Sequence, residues 1–187
     1  MITLIIGGSG SGKSEYAENK ALEYAKHKEN TNSLLYIATM QPFGKETLQK
    51  ITRHHELRKN KGFTTVEQYV DIEKASINWN NEAVVLLECM SNLLANEKYR
   101  TDRSENSLKD LVAKVVQGIE EIEQSCHHLV IVTNDVFASG ESYDLETMEY
   151  ISQLGKINSR LAKKADLVVE VVCGIPVIVK SIEDNKE

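Results

Sequence analysis

Thr3-Leu4-Ile5-Ile6-Gly7-Gly8-Ser9-Gly10-Ser11-Gly12-Lys13-Ser14 decides the fold. Its first four residues are an apolar, largely β-branched run, the pattern of a buried strand. From Gly7 the residues spell G-x-x-x-x-G-K-S, the phosphate-binding P-loop pattern. Glycine has no Cβ to forbid positive φ, so Gly7, Gly8, Gly10 and Gly12 let the chain curl around Ser9 and Ser11. The curled loop turns its N–H groups inward, where they cradle the phosphates of a nucleotide. The next helix adds the positive end of its dipole at the same place. Lys13 is then placed to reach the β- and γ-phosphates, and the Ser14 hydroxyl to bind Mg²⁺. A helix is expected there, because Tyr16, Lys20 and Tyr24, and Ala17, Ala21 and Ala25, recur at i+4. The competing reading is a glycine-rich turn with a solvated lysine. Strand, loop and helix in that order argue against it.

Working outward, residues 34–39, 84–88 and 129–134 are continuous apolar runs, as parallel strands buried on both faces are. Ala38, Thr39 and Met40 then lie at a strand's C-terminal end, where open α/β sheets bind ligands. Residues 45–58 read as a charged helix. Leu48, Ile51 and His55 fall at i, i+3 and i+7, which puts His55 on the apolar side and His54 about 100° away. The plain reading of this pair is one partly buried and one solvated histidine. Residues 63–67 are a short strand pattern, and 71–81 a polar stretch with Trp79 as a packing residue. Glu88 closes its apolar strand in the Walker B manner, placed to hold Mg²⁺ or its water shell; the alternative is an ordinary carboxylate at a strand end.

Residues 96–106 are charged and expected to be exposed. Ser107 opens a helix with capping-box-like spacing. Leu108, Leu111, Val112, Val115, Ile119 and Ile122 form its apolar stripe. His127 and His128 read as a connection, and Thr133, Asn134 and Asp135 as polar groups at the ligand edge. Residues 137–144 read as a loop. Asp144 is the expected cap of a helix running to about residue 164, with Met148, Ile151, Leu154, Ile157 and Leu161 among its charges. Residues 167–173 and 177–180 are strands joined by Gly174-Ile175-Pro176, too short a link for anything but an antiparallel hairpin. Alternating strands and helices give an α/β fold, a mostly parallel sheet with helices on both faces and a closing hairpin. No linker or repeat divides it, so residues 1–187 read as one domain.

The chain has 187 residues and a formal net charge of −6 without a basic stripe, which argues against nucleic acid as partner. No apolar run is long enough to span a bilayer. No basic segment precedes the first strand, and the expected location is the cytoplasm. Cys89, Cys126 and Cys173 show no paired spacing, so they read as buried small hydrophobes rather than zinc ligands or disulfides.

Several segments together resemble one family. They are Gly7-Gly8-x-x-Ser11-Gly12-Lys13-Ser14, Tyr36-Ile37-Ala38-Thr39, Lys50-Ile51-x-x-His54, Glu67, Leu86-Leu87-Glu88-Cys89, Val132-Thr133-Asn134-Asp135-Val136, Gly155-x-x-Asn158-x-x-Leu161-Ala162 and Ala165-Asp166. The chain is similar, over nearly its whole length, to the bifunctional adenosylcobinamide kinase / adenosylcobinamide-phosphate guanylyltransferase family of cobalamin biosynthesis. The resemblance implies a RecA-like P-loop fold and a homotrimer. It implies phosphorylation of a corrinoid's aminopropanol hydroxyl with ATP or GTP, with Mg²⁺. It also implies transfer of GMP from GTP to that phosphate through a guanylylated histidine. By motif that histidine is His54, with His55 next in line. The implied nucleotide contacts are Gly7, Gly8, Ser9, Gly10, Ser11, Gly12, Lys13, Ser14, Ala38, Thr39, Met40, His55, Glu56, Leu57, Arg58, Glu67 and Glu88. Lys13, Arg53 and Arg58 are the candidate cations for the departing pyrophosphate. On the residues alone, a P-loop small-molecule kinase without nucleotidyl transfer and a non-catalytic nucleotide-binding regulator stay open beside this reading.

Overall fold

The computed structural model describes residues 1–26, 34–79, 81–102, 110–136 and 143–182. Among them seven strands form one sheet: β1 (Ile2–Gly7), β2 (Leu34–Ala38), β3 (Thr64–Glu67), β4 (Val84–Glu88), β5 (His128–Asn134), β6 (Leu167–Val172) and β7 (Ile175–Ser181). Their order is β3-β2-β4-β5-β1-β6-β7. Every neighbouring pair is parallel except β6–β7. The helices are α1 (Lys13–Ala25), α2 (Gly44–Arg58), α3 (Met90–Tyr99), α4 (Leu111–Gln124) and α5 (Leu145–Lys164), with a 3₁₀ helix at Ile72–Asn78. This is a mostly parallel α/β sheet with a C-terminal antiparallel hairpin.

Alternation along the strands serves two cores. Leu4, Leu87 and Ile131 pack toward α3, α4 and α5. Ile5, Leu86 and Val132 pack toward α1, against Ala17 and Ala21. Both faces are covered, which is why the strands read as unbroken apolar runs. Parallel pairing brings the strand ends to one edge: Gly7 lies opposite Asn134, and Ala38 lies between Glu67 and Glu88.

Several expectations need correction. Helix α3 occupies a stretch for which the sequence suggested no helix, and its last turn falls in the charged stretch expected to be exposed. Met90, Leu93 and Leu94 bury it, and Glu97 is 2% exposed rather than solvated. Burial of that carboxylate is offset by an ion-pair network. Glu97 accepts from Lys114 Nζ at 2.9 and 3.0 Å and from the Asp71 N–H at 2.7 Å. Asp71, in the left-handed region at φ 48°, takes Arg100 at 2.8 Å, Lys74 at 3.0 Å and also Lys114. Burial alone would raise the Asp71 carboxyl; hydrogen bonds from Lys114, Arg100 and Lys74 outweigh it and hold the group well below the usual carboxylate range. The network joins the 3₁₀ helix to α3 and α4. One residue before Glu97, Asn96 donates to the Thr39 carbonyl at 2.7 Å and the Tyr69 carbonyl at 2.9 Å, so α3 steadies the end of β2.

Asp144 caps α5 as expected, accepting from the Thr147 N–H at 2.8 Å. Met148, however, is exposed; α5 first meets the core at the partly buried Tyr150, and its fully buried residues begin at Leu154. The predicted helix start at Ser107 and Leu108 and the loop at 137–142 lie outside the described residues. His128 begins β5 rather than ending a loop, and its ring stacks on Tyr24 with centroids 4.1 Å apart. The hairpin turn is Cys173-Gly174, at φ 52° and 81°, two positive values of the kind a two-residue turn uses. Cys173 is therefore exposed, against expectation; Cys126 is buried and Cys89 half-buried. The turn reaches the P-loop, where Gly174 N–H donates to the Ser11 carbonyl at 2.8 Å. No helix among the described residues is long and apolar enough to cross a membrane.

Candidate active site

The P-loop runs from the end of β1 into α1, and its glycines answer to space. A Cβ on Gly7 would stand 2.5 Å from Ser11 Oγ and 2.7 Å from the Val171 carbonyl. Gly12 sits at φ 90°, with the Gly174 backbone against it. Ser9 and Gly10 form the exposed tip. Ser11 Oγ is buried with no hydrogen-bond partner among the described residues. Lys13 is 9% exposed and its Nζ donates to the Gly8 carbonyl at 2.9 Å, folded into the loop it would serve. Burial lowers the Lys13 pKa, while the nearby Cys89 and Glu88 pull it upward.

The topology places β5 between β1 and β4. With strands about 4.8 Å apart, the P-loop strand and the Glu88 strand are roughly 10 Å apart. The loop spans that gap, and the Ser14 hydroxyl donates to Glu88 Oε1. Glu88 Oε2 accepts from the Tyr36 hydroxyl at 2.8 Å. Thr39 locks the same edge: its Oγ1 accepts from the Cys89 N–H at 2.8 Å and lies 3.0 Å from the carbonyls of Glu88 and Cys89. Ser14 and Glu88 supply two hard oxygen donors at one point. That suits Mg²⁺, which keeps waters and substrate phosphates as its other ligands and needs no all-protein cage. Among the described residues no group of three or more His, Cys, Asp and Glu converges into such a cage.

A cleft of about 480 Å³ opens from Glu88 toward α2. Ala38, Met40, His54, Glu56, Arg58 and Glu67 line it, six of the residues singled out from the sequence. His54 shares this wall with Leu48, Ile51 and Arg58, which corrects the expectation that it points away from the apolar side. The inward stripe is Ile51, His54 and Arg58, and it is set by Arg58, which apolar periodicity does not count. Arg58 is 5% exposed; its guanidinium lies 3.5 Å over the centre of the Tyr36 ring. Arg58 Nε and Nη1 and His54 Nδ1 are buried without a hydrogen-bond partner among the described residues. The side chains of His55 and Leu57 lie outside the described residues, and Arg53 is exposed.

The structure also brings in residues that sequence reasoning did not select. Tyr36, Tyr69, Cys89 and Asn92 line the cleft. Tyr36 carried a signal, since it precedes Ala38 by two and so shares its face of β2. Reading the run only as buried strand hid its hydroxyl.

Comparison with known proteins bears on this arrangement. The family model described as cobinamide kinase / cobinamide phosphate guanyltransferase matches residues 3–179. The bifunctional adenosylcobalamin biosynthesis protein CobU of Escherichia coli K12 is 29% identical over 191 residues, covering 96% of this chain and all of that one. The protein of the same name from Salmonella typhimurium LT2 is 26% identical over 192 residues, with the same coverage. Among solved structures, the flagellar accessory protein FlaH of Methanocaldococcus jannaschii aligns at TM-score 0.47 and 13% identity, over 96% of this chain and 78% of that one. That similarity is too low to carry anything over.

Proposed function

The chain belongs to the cobinamide kinase / cobinamide phosphate guanyltransferase family and is a transferase of cobalamin biosynthesis; on that premise we propose that it runs both transfers in the cleft between the P-loop and α2, the second through His54. In the first, the γ-phosphoryl group of ATP or GTP passes to the aminopropanol hydroxyl of adenosylcobinamide. Lys13 and the loop N–H groups would hold the phosphates, and Ser14 and Glu88 would hold Mg²⁺, which would supply charge neutralisation at the transferring group.

In the second, a ring nitrogen of His54 attacks the α-phosphorus of GTP. A P–N bond forms as the bond to pyrophosphate breaks. An oxygen of adenosylcobinamide phosphate then attacks the same phosphorus, and the P–N bond breaks. The product is adenosyl-GDP-cobinamide and His54 is restored. Arg58, one helical turn from His54, is the cation for the phosphates of this step. The observation that supports the reading best is the pairing of two orphaned groups. His54 Nδ1 and Arg58 Nε and Nη1 are buried in one cleft with Glu88 and lack hydrogen-bond partners among the described residues. Such groups cost free energy unless a ligand satisfies them. The test is incubation with α-labelled GTP, which should leave an acid-labile, alkali-stable label on the protein; unlabelled protein that still phosphorylates corrinoid would reduce it to a kinase.

Glu88→Gln should keep the fold, since glutamine retains an acceptor for Tyr36, and should raise the Mg²⁺ concentration for half-maximal phosphorylation about tenfold. An unchanged Mg²⁺ dependence would place Glu88 outside the metal's surroundings. We also propose a homotrimer in the cytoplasm. The edge strand β7 supports contact between copies, with Ile175, Val177, Ile178 and Val179 all exposed. An open apolar edge invites pairing. Sedimentation equilibrium should return three times the chain mass; a monomer mass at micromolar concentration would refute this.

A further inference from the structure

Tyr36 stands between three groups of the site. Its hydroxyl donates to Glu88 Oε2 at 2.8 Å. Its ring face carries the Arg58 guanidinium at 3.5 Å. Its edge meets Phe63, with centroids 6.1 Å apart and planes at 82°. The residue is 4% exposed on β2, a strand paired on both sides. Burial first, and then the charge of Glu88, push the phenol well above its ordinary value. The bond runs from the phenol donor to the carboxylate acceptor.

Glu88 has two donors, and they differ in kind. Ser14 belongs to the P-loop helix, and its hydroxyl oxygen would have a second duty at a nucleotide-bound cation while its proton goes to Glu88 Oε1. Tyr36 belongs to the sheet and has no such second duty. It can hold Glu88 Oε2 throughout a turnover, so it decides which carboxylate oxygen faces the P-loop. The same ring supports Arg58, whose Nε and Nη1 find no other partner among the described residues. An arginine over an aromatic face is oriented as well as attracted.

We propose that Tyr36 is a positioning residue whose hydroxyl fixes Glu88 for the P-loop site and whose ring fixes Arg58 for the α2 side of the cleft. This rests on the reading of Glu88 and Arg58 given above. One buried side chain then aligns charged groups of both transfers.

The test is calorimetric titration of the full chain with α,β-methylene-GTP, whose α–β bridge His54 cannot cleave, with Mg²⁺ and separately with chelator. Tyr36→Phe keeps the ring and removes the donor. A hydrogen bond to a charged acceptor is strong enough that its loss should weaken Mg²⁺-dependent binding about tenfold. Binding in chelator should move less than twofold. Tyr36→Leu removes both supports and should weaken binding under both conditions, with far-ultraviolet circular dichroism checking that it folds. Equal weakening of Tyr36→Phe with and without Mg²⁺ would make the residue merely structural and overturn the proposal. Glu88→Gln, titrated alongside, separates the remaining outcomes. If it loses Mg²⁺-dependent affinity while Tyr36→Phe does not, the positioning role is wrong and the Glu88 reading survives. If neither variant changes, the Glu88 reading fails and the role of Tyr36 falls with it.

Discussion

Lys13→Ala should lose phosphoryl transfer by ~10²–10³-fold or more while remaining folded. A cation aimed at developing charge in a dry site is worth that much, because water cannot replace it there. Lys13 fits this description: it is 9% exposed, in the first turn of α1. Its hydrogen bond goes to Gly8 of its own loop and fastens no second element. Truncation therefore removes a ligand contact and little packing. The rate is read as labelled corrinoid phosphate from γ-labelled ATP, and the fold by circular dichroism. A folded variant with near-normal phosphorylation would refute the P-loop assignment.

His54→Asn should abolish the GMP adduct and the formation of adenosyl-GDP-cobinamide. Asparagine cannot form a stable phosphoramidate, so the loss is of chemistry and not of fit. The phosphorylation step needs the P-loop, the metal and the acceptor hydroxyl but no imidazole. It should stay within about tenfold, roughly 1.4 kcal/mol of barrier. His55→Asn should still label with α-labelled GTP. If the two variants behave the other way round, the nucleophile is His55. If neither affects labelling, no histidine of this pair carries the guanylyl group.

The strand, loop and helix of residues 2–25 could be read directly, because glycine spacing and apolar runs are local properties. Glu88 was readable for the same reason, as a carboxylate ending an apolar run. What escaped was whatever depends on distant partners. Glu97 looked solvated because Lys114 and Asp71 meet it only in three dimensions. His54 looked outward because the inner face of α2 continues past Ile51 to a buried arginine on Tyr36, which apolar periodicity does not count. The exposure of β7 was equally hidden. Its valines and isoleucines resemble those of β5, and only strand order tells an edge from a centre.

The place of β1 in that order sets when the site can come into being. The strand leading into the P-loop is made well before its partners, β5 and β6, which pair with it in register Ile2 with Leu129 and Thr3 with Leu167. During synthesis the P-loop strand must wait while more than a hundred residues emerge. At roughly 5–20 residues per second that is on the order of ten seconds or more. The nascent chain carries its phosphate-binding sequence from the start but has no sheet on which to hold it. The final turn, Cys173-Gly174, also supplies a backbone donor to Ser11. The site as folded thus waits on residues more than 150 positions further along the chain than the P-loop.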